Sequence, residues 1–303
     1  MANETSFPRL RAWLDQSCSR DQPRLWRLVY SPTYNFLFLR IAGKTGGTTV
    51  EFSYLVPALC RLLDHRNVTR TEGLFGGARV KQGCVEHLQS QGHLFRHGDS
   101  TQRSFAQLKL ERTVLFTLVR DPCARAVSSY TYCVDAERGA KNYTFAQYIR
   151  EPLGMRVFGR TPIRRTDFHF LPQAALFAKH RPCGDIHIVQ TERLNAQMQA
   201  IVERINAARD HRLPSLPPFP QEAASNHNSL SSATVPSGAC SCPGSSPCAN
   251  ALWRSPFRED VELLEYPSCS HAGLRRRRLQ AAATGGRALG KARGVHLLYS
   301  PVG

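Results

Sequence analysis

Six consecutive residues, Lys44, Thr45, Gly46, Gly47, Thr48 and Thr49, gather what a bound oxyanion needs. They supply a cation, three hydroxyl donors and two glycines that let backbone N–H groups come close. A second set stands further along in Arg120-Asp-Pro-Cys-Ala-Arg-Ala-Val-Ser128-Ser-Tyr130. A guanidinium fork with a serine hydroxyl one to two helical turns later suits a phosphate monoester. Two separate oxyanion sites are what a nucleotide phosphorylated on both its 5′ and 3′ sides requires, and Lys44 is then the cation that stabilises charge on a departing oxygen.

Each set also has a plainer reading, as a Gly/Thr turn or as a salt-bridged helix start. The nearest chemical rival is a nucleoside-triphosphate kinase, because Gly43-Lys44-Thr45 echoes a P-loop. That motif needs a further glycine at position 38, where this chain has Phe38, which cannot make the tight phosphate-wrapping turn. Asp121 is the one acid placed to serve a kinase metal, and it lies inside the second set. A catalytically inactive polyanion-binding protein is the other alternative, and Lys44, Arg120 and Ser128, all intact, speak against it.

The surrounding pattern supplies elements to hold these groups. Residues 34–42 (YNFLFLRIA) form an apolar run of strand length, followed by helix-compatible spacing over 50–63 that Pro57 can kink or end. Residues 113–119 (TVLFTLV) predict a second buried strand, with Pro122 opening a helix over 124–133. Residues 185–190 predict a third, with Thr191 as N-cap of an amphipathic helix over 194–208. Residues 64–110 read as loops with short elements. Strands alternating with helices predict an α/β class, a P-loop-like three-layer fold with a mainly parallel central sheet and its site at the C-terminal strand ends. The expected division is an N-terminal extension over 1–33, a domain over 34–266 with a Pro/Ser-rich loop or insertion over 213–250, and a disordered basic tail over 267–303.

The 303 residues carry a formal charge of +17, which favours polyanionic partners; seven of those charges come from arginines and lysines after Glu265, where no acidic residue occurs. Ten cysteines and sequons at Asn3, Asn67 and Asn142 agree with a secretory compartment. Cys240, Cys242 and Cys248 lack a matching ligand pair, so no metal is expected. No run of 18 apolar residues occurs and no apolar stretch precedes Asp15, so neither a transmembrane segment nor a signal peptide is expected in this chain.

FLFLRIAGKTGGTT followed by VLFTLVRDPCARAVSSY resembles the two donor-binding signatures of Golgi carbohydrate sulfotransferases, the group with heparan sulfate 2-O- and chondroitin 4-O-sulfotransferases. Gln91-Gly92-His93, the segment from His169 to Pro172-Gln173, Asn226-His227-Asn228 and the block from Phe257 through Asp260 to Tyr266 resemble further family elements. The resemblance implies a sulfotransferase that uses 3′-phosphoadenosine-5′-phosphosulfate (PAPS), without a metal, to sulfate a hydroxyl of a carbohydrate. It places Lys44, Thr45, Gly46, Gly47, Thr48 and Thr49 at the 5′-phosphosulfate and Arg120 and Ser128 at the 3′-phosphate. It selects His93 as the base that takes the acceptor proton. His169 and His97 stand behind it, and Glu51 and Glu86 remain open as carboxylate bases. Arg96, Arg103, Arg112, Arg138, Arg164 and Arg165 are candidates for an acidic-glycan groove. The resemblance also implies a carbohydrate partner, no nucleic acid, and a Golgi lumenal location.

Overall fold

In β2 (Phe36–Leu39) all four side chains are apolar and all are buried, so the strand must be covered on both faces. Its alternation sorts them. Phe36 and Phe38 join one apolar cluster and Leu37 and Leu39 another. The computed structural model describes residues 7–17, 27–63, 72–75, 78–97, 112–135, 171–180, 184–220 and 257–264.

The main sheet holds five strands in the order β5-β1-β2-β6-β7, with β1 spanning Arg27–Ser31, β5 Leu94–His97, β6 Val114–Val119 and β7 Ile186–Gln190. β2, β6 and β7 run parallel, as expected. β1 is antiparallel to both β2 and β5, so β5 points the same way as β2. β3 (Glu72–Phe75) and β4 (Ala78–Lys81) form a separate antiparallel pair.

On the Phe36/Phe38 face lie α2 (Val56–Leu63), α3 (Gln82–Ser90) and α6 (Leu194–Ala208); the Leu37/Leu39 face carries α1 (Pro8–Ser17), α5 (Gln173–His180) and α7 (Arg258–Leu264). The remaining helix, α4 (Pro122–Asp135), starts on Pro122 directly after β6, as its fixed φ favours. A disulfide joins Cys60 of α2 to Cys84 of α3, with Cα atoms 5.9 Å apart.

Several expectations change. The helix after the Gly/Thr turn begins as a π-helix over Thr49–Leu55 and becomes regular only at Val56. Pro57 has no N–H to give and its ring crowds the carbonyl four residues back, and the wide turns end just before it. β1 is an interior strand although it falls in the stretch read as an N-terminal extension, while β5 is one of the short elements expected over 64–110. Thr191 begins a 3₁₀ turn (Thr191–Arg193), where its side chain makes no cap. The first part of the Pro/Ser-rich segment, residues 213–220, is packed: Leu216 and Phe219 are buried. Asn206 of α6 donates to Leu216 O at 3.0 Å and accepts its N–H at 2.7 Å, and the Tyr34 hydroxyl donates to Pro214 O at 3.0 Å. The tail over 267–303 lies outside the described residues.

The Cys60–Cys84 bridge closes a 24-residue separation. Replacing both cysteines by serine should lower the unfolding free energy in a urea titration by about 3 kcal/mol. An unchanged midpoint would mean that the bridge constrains nothing.

Candidate functional site

Beyond β2 the chain turns through two left-handed residues, Lys44 (φ 63) and Gly46 (φ 78). Glycine accepts that conformation; lysine adopts it at a cost that the surroundings must offset. The Thr45 hydroxyl donates to Ala42 O at 2.9 Å, and Val50 N–H closes back on Gly46 O at 3.2 Å. Gly47 is needed for a different reason: a Cβ there would lie 2.6 Å from Nε of Arg40. Arg40 therefore packs flat beneath the turn. Its guanidinium donates to the Thr48 hydroxyl at 2.8 Å and to Glu51 Oε2 at 3.2 Å, with both ion-pair side chains almost wholly buried. Burial lowers the Arg40 pKa from its ordinary value, opposed by the Glu51 carboxylate beside it. Because Arg40 takes a lone pair of the Thr48 oxygen, the Thr48 proton remains available to an anion.

The second set meets this turn at the end of β6. Arg120 donates from its guanidinium to Lys44 O at 3.2 Å. Arg125, 1% exposed, donates from Nε to Gly43 O at 2.9 Å and from its terminal nitrogen to Leu171 O at 2.7 Å. Asp121 accepts the Ala124 N–H at 2.8 Å, capping α4, while its own N–H donates to Glu192 at 2.9 Å. The Thr191 hydroxyl lies 2.8 Å from Thr45 O and 2.9 Å from Val119 O, tying the third strand end to the other two. Gln173 at the start of α5 accepts the Arg120 N–H at 3.0 Å and donates to the Arg120 carbonyl at 2.8 Å. Asp260 of α7 accepts the N–H groups of Gln173 at 2.8 Å and Ala174 at 2.6 Å. Burial pushes the Asp260 carboxyl up to about 6, with the Arg125 charge and these N–H bonds working against it.

The Gly/Thr turn thus meets Arg120 beyond the C-terminal ends of β2 and β6, while Ser128 lies within α4. Lys44, Thr48, Arg120 and Ser128 are half-buried, Gly46 likewise, and Thr45, Gly47 and Thr49 are buried. Two cations and the Thr48 hydroxyl at one sheet end can hold an anion. Phe38, the residue that spoiled the P-loop pattern, lies inside β2 and stacks on Phe116 with ring centroids 5.1 Å apart, so the strand runs straight through where a P-loop would begin to turn. Asp121, the acid a kinase would offer to a metal, is engaged as a helix cap.

His93, which the resemblance selects as base, is not among the residues brought to this cluster. It is fully buried, precedes β5, and its Nε2 is 3.2 Å from the Thr33 hydroxyl in the turn between β1 and β2. The register shows why: Leu94 pairs with Tyr30, which pairs with Leu37, so His93 stands at the N-terminal end of β2. Four residues of strand, about 13 Å, separate it from His97. His97 pairs with Arg27, one position beyond the Leu28 that is level with Leu39, and so stands at the same end of the sheet as the Gly/Thr turn. Glu51 is bound to Arg40, and Glu86 is exposed on α3. Arg112 is exposed; His169, Arg103, Arg138, Arg164, Arg165, Cys240, Cys242 and Cys248 lie outside the described residues. Sequence reasoning missed Arg40, Arg125, Gln173 and Asp260 as supports. A lone arginine inside the apolar run FLFLRIA was the one legible signal, since an unpaired charge there would be too costly to bury.

Among the described residues no helix is long and apolar enough to cross a membrane. A protein-family model described as the sulfotransferase family matches residues 26–267, from just before β1 to just past α7. No curated protein and no solved structure matches.

Burial pushes the His93 imidazole down to about 4 from the ordinary 6.5. Between those values the unfolded chain binds a proton that the folded chain refuses, so stability present above 6.5 is lost as pH falls toward 4. His93→Gln, which keeps a partner for Thr33, should flatten the dependence of Tm on pH across that window. Equal slopes for variant and wild type would contradict a neutral, buried His93.

Proposed function

The chain belongs to the sulfotransferase family, which includes Golgi carbohydrate sulfotransferases, and from that premise we propose that it moves a sulfuryl group from PAPS to a hydroxyl of a carbohydrate. Sulfuryl transfer follows from the family; donor, acceptor and residue roles are our reading. The observation that carries it is the hydrogen bond from Arg120 to Lys44 O, which brings two oxyanion-binding segments, far apart in sequence, to one place.

The 5′-phosphosulfate fits the turn of Lys44, Thr45, Gly46, Gly47, Thr48 and Thr49, and the 3′-phosphate fits Arg120 and Ser128. PAPS supplies the activated sulfur–oxygen bond that breaks as the acceptor oxygen attacks. Lys44 and the Thr48 proton stabilise negative charge on the oxygens of the turn's ligand. Arg120 fixes the nucleotide's other end, which aligns the reacting atoms and removes much of the entropic barrier.

A base must take the acceptor proton at the sheet end where Lys44 stands. His93 does not meet that condition. His97 does by register, and we assign it the role, histidine being a residue type suited to general-base work. An acidic glycan suits the +17 charge. The Cys60–Cys84 disulfide suits an oxidising compartment such as the Golgi lumen, where PAPS-dependent glycan sulfation would take place. A parallel sheet core with helices on both faces agrees with a P-loop-like three-layer fold.

Calorimetric titration with adenosine 3′,5′-bisphosphate should show saturable binding that Arg120→Ala weakens at least tenfold, as expected for losing a charged fork; saturation by ATP with Mg²⁺ alone would sink the donor assignment. In sulfate transfer to a panel of desulfated glycans, Lys44→Ala and His97→Ala should each lower kcat by about 10²-fold or more with nucleotide binding retained after His97→Ala. His93→Ala should lower stability and leave kcat within a few-fold of wild type. The reverse ranking of the two histidines would return the base to His93.

A further inference from the structure

Arg120 carries the second oxyanion site, yet nothing in its own strand fixes how it leaves the sheet. β6 ends at Val119, and the backbone of Arg120, the next residue, is bonded by the Gln173 side chain. That side-chain amide accepts the Arg120 N–H at 3.0 Å and donates to the Arg120 carbonyl at 2.8 Å, both faces of one peptide-like group satisfied by one side chain. The pairing copies a strand ladder with an amide that belongs to a helix start. Gln173 is itself fully buried, and its own backbone N–H is held, together with that of Ala174, by the two carboxylate oxygens of Asp260 at 2.8 and 2.6 Å. Asp260 comes from α7, 87 residues further along the chain.

We infer that Gln173 is a positioning residue for Arg120, held in turn by Asp260, and that this relay sets how strongly the enzyme prefers a nucleotide bearing a 3′-phosphate. The inference rests on the donor reading above and deepens it. The relay touches the backbone of Arg120 and leaves the guanidinium to the ligand and to Lys44 O. Its loss therefore acts first on the second anion site and reaches the Gly/Thr turn only through the bond from Arg120 to Lys44 O. Gln173→Ala removes both bonds. Gln173→Glu keeps an acceptor for the Arg120 N–H and loses the donor to its carbonyl, so it should fall between the two. Asp260→Asn retains shape but turns one acceptor into a donor facing an N–H, and should act in the same direction as Gln173→Ala.

The test uses the full chain and two probes, adenosine 3′,5′-bisphosphate and adenosine 5′-monophosphate, titrated into wild type and each variant. Gln173→Ala should cut the bisphosphate-to-monophosphate affinity ratio by about tenfold, the scale of losing two buried hydrogen bonds, with monophosphate affinity within twofold of wild type. Gln173→Glu should give an intermediate ratio and keeps the test open if Gln173→Ala fails to fold. An unchanged ratio in the variants overturns the relay. So does a parallel fall in both affinities with a lowered Tm, which marks a purely structural residue. A wild type that does not distinguish the two nucleotides refutes the donor assignment itself and takes the relay with it, a result recognisable before any variant is made.

Discussion

A guanidinium sealed from water must find partners for its donors, or the cost of burying it exceeds what one contact returns. Arg125 is sealed in this way, and its partners are the carbonyls of Gly43, which precedes the anion-binding turn, and Leu171, which precedes α5, with the Asp260 carboxylate close enough to feel its charge. Removing either carbonyl would cost a buried cation one of its hydrogen bonds. The turn after β2, the start of α4 and the approach to α5 are therefore obliged to stay together. Everything polar in the site hangs from that obligation: Arg120 reaches Lys44 because Arg125, on the next helix, already holds Gly43.

Beneath the turn a second buried arginine sets its shape. Arg40 fills the space that any side chain on residue 47 would occupy, and its guanidinium bonds Thr48 and Glu51, 8 and 11 residues further on. A π-helix follows directly, over Thr49–Leu55. Wide helical turns are often retained at functional sites because they set side chains out of their regular spacing. Here Glu51 faces back to Arg40, while Tyr54 meets the Phe219 ring edge-on at 4.9 Å and donates its hydroxyl to Pro217 O. The segment over 213–220 thereby braces the element that follows the Gly/Thr turn.

How much of this was legible follows from which forces act locally. β2, β6 and β7 are apolar runs buried on both faces, and such runs announce themselves. The turn over Lys44–Thr49 was legible as a candidate site because glycines, threonines and a lysine in one turn have few other uses. β1 was not legible. Arg27-Leu-Val-Tyr-Ser is short and half polar, and only its pairing on both sides makes it interior. Residues 213–220 look like a structureless Pro-rich stretch because their bonds go to side chains outside the segment, Asn206 and Gln199 on the preceding helix and Tyr34 and Tyr54 far back in the chain. Gln173 and Asp260 are support residues whose meaning exists only once two helices meet.

The histidines show the same limit at its sharpest. His93 and His97 are four residues apart on one short segment, and a sequence reading weighs them by neighbouring letters alone. Strand direction decides between them. Because β1 is antiparallel to both of its neighbours, β5 is forced to run with β2, and the two ends of β5 face opposite ends of the sheet. One histidine is then sealed against the Thr33 turn and kept neutral by burial, while the other emerges level with the chain that leads into Lys44. Had β1 been parallel to β2, the same sequence would have put His93 at the anion site. The antiparallel strand that sequence could not see is thus the feature that sets which histidine stands at the sheet end where β2 leads into Lys44.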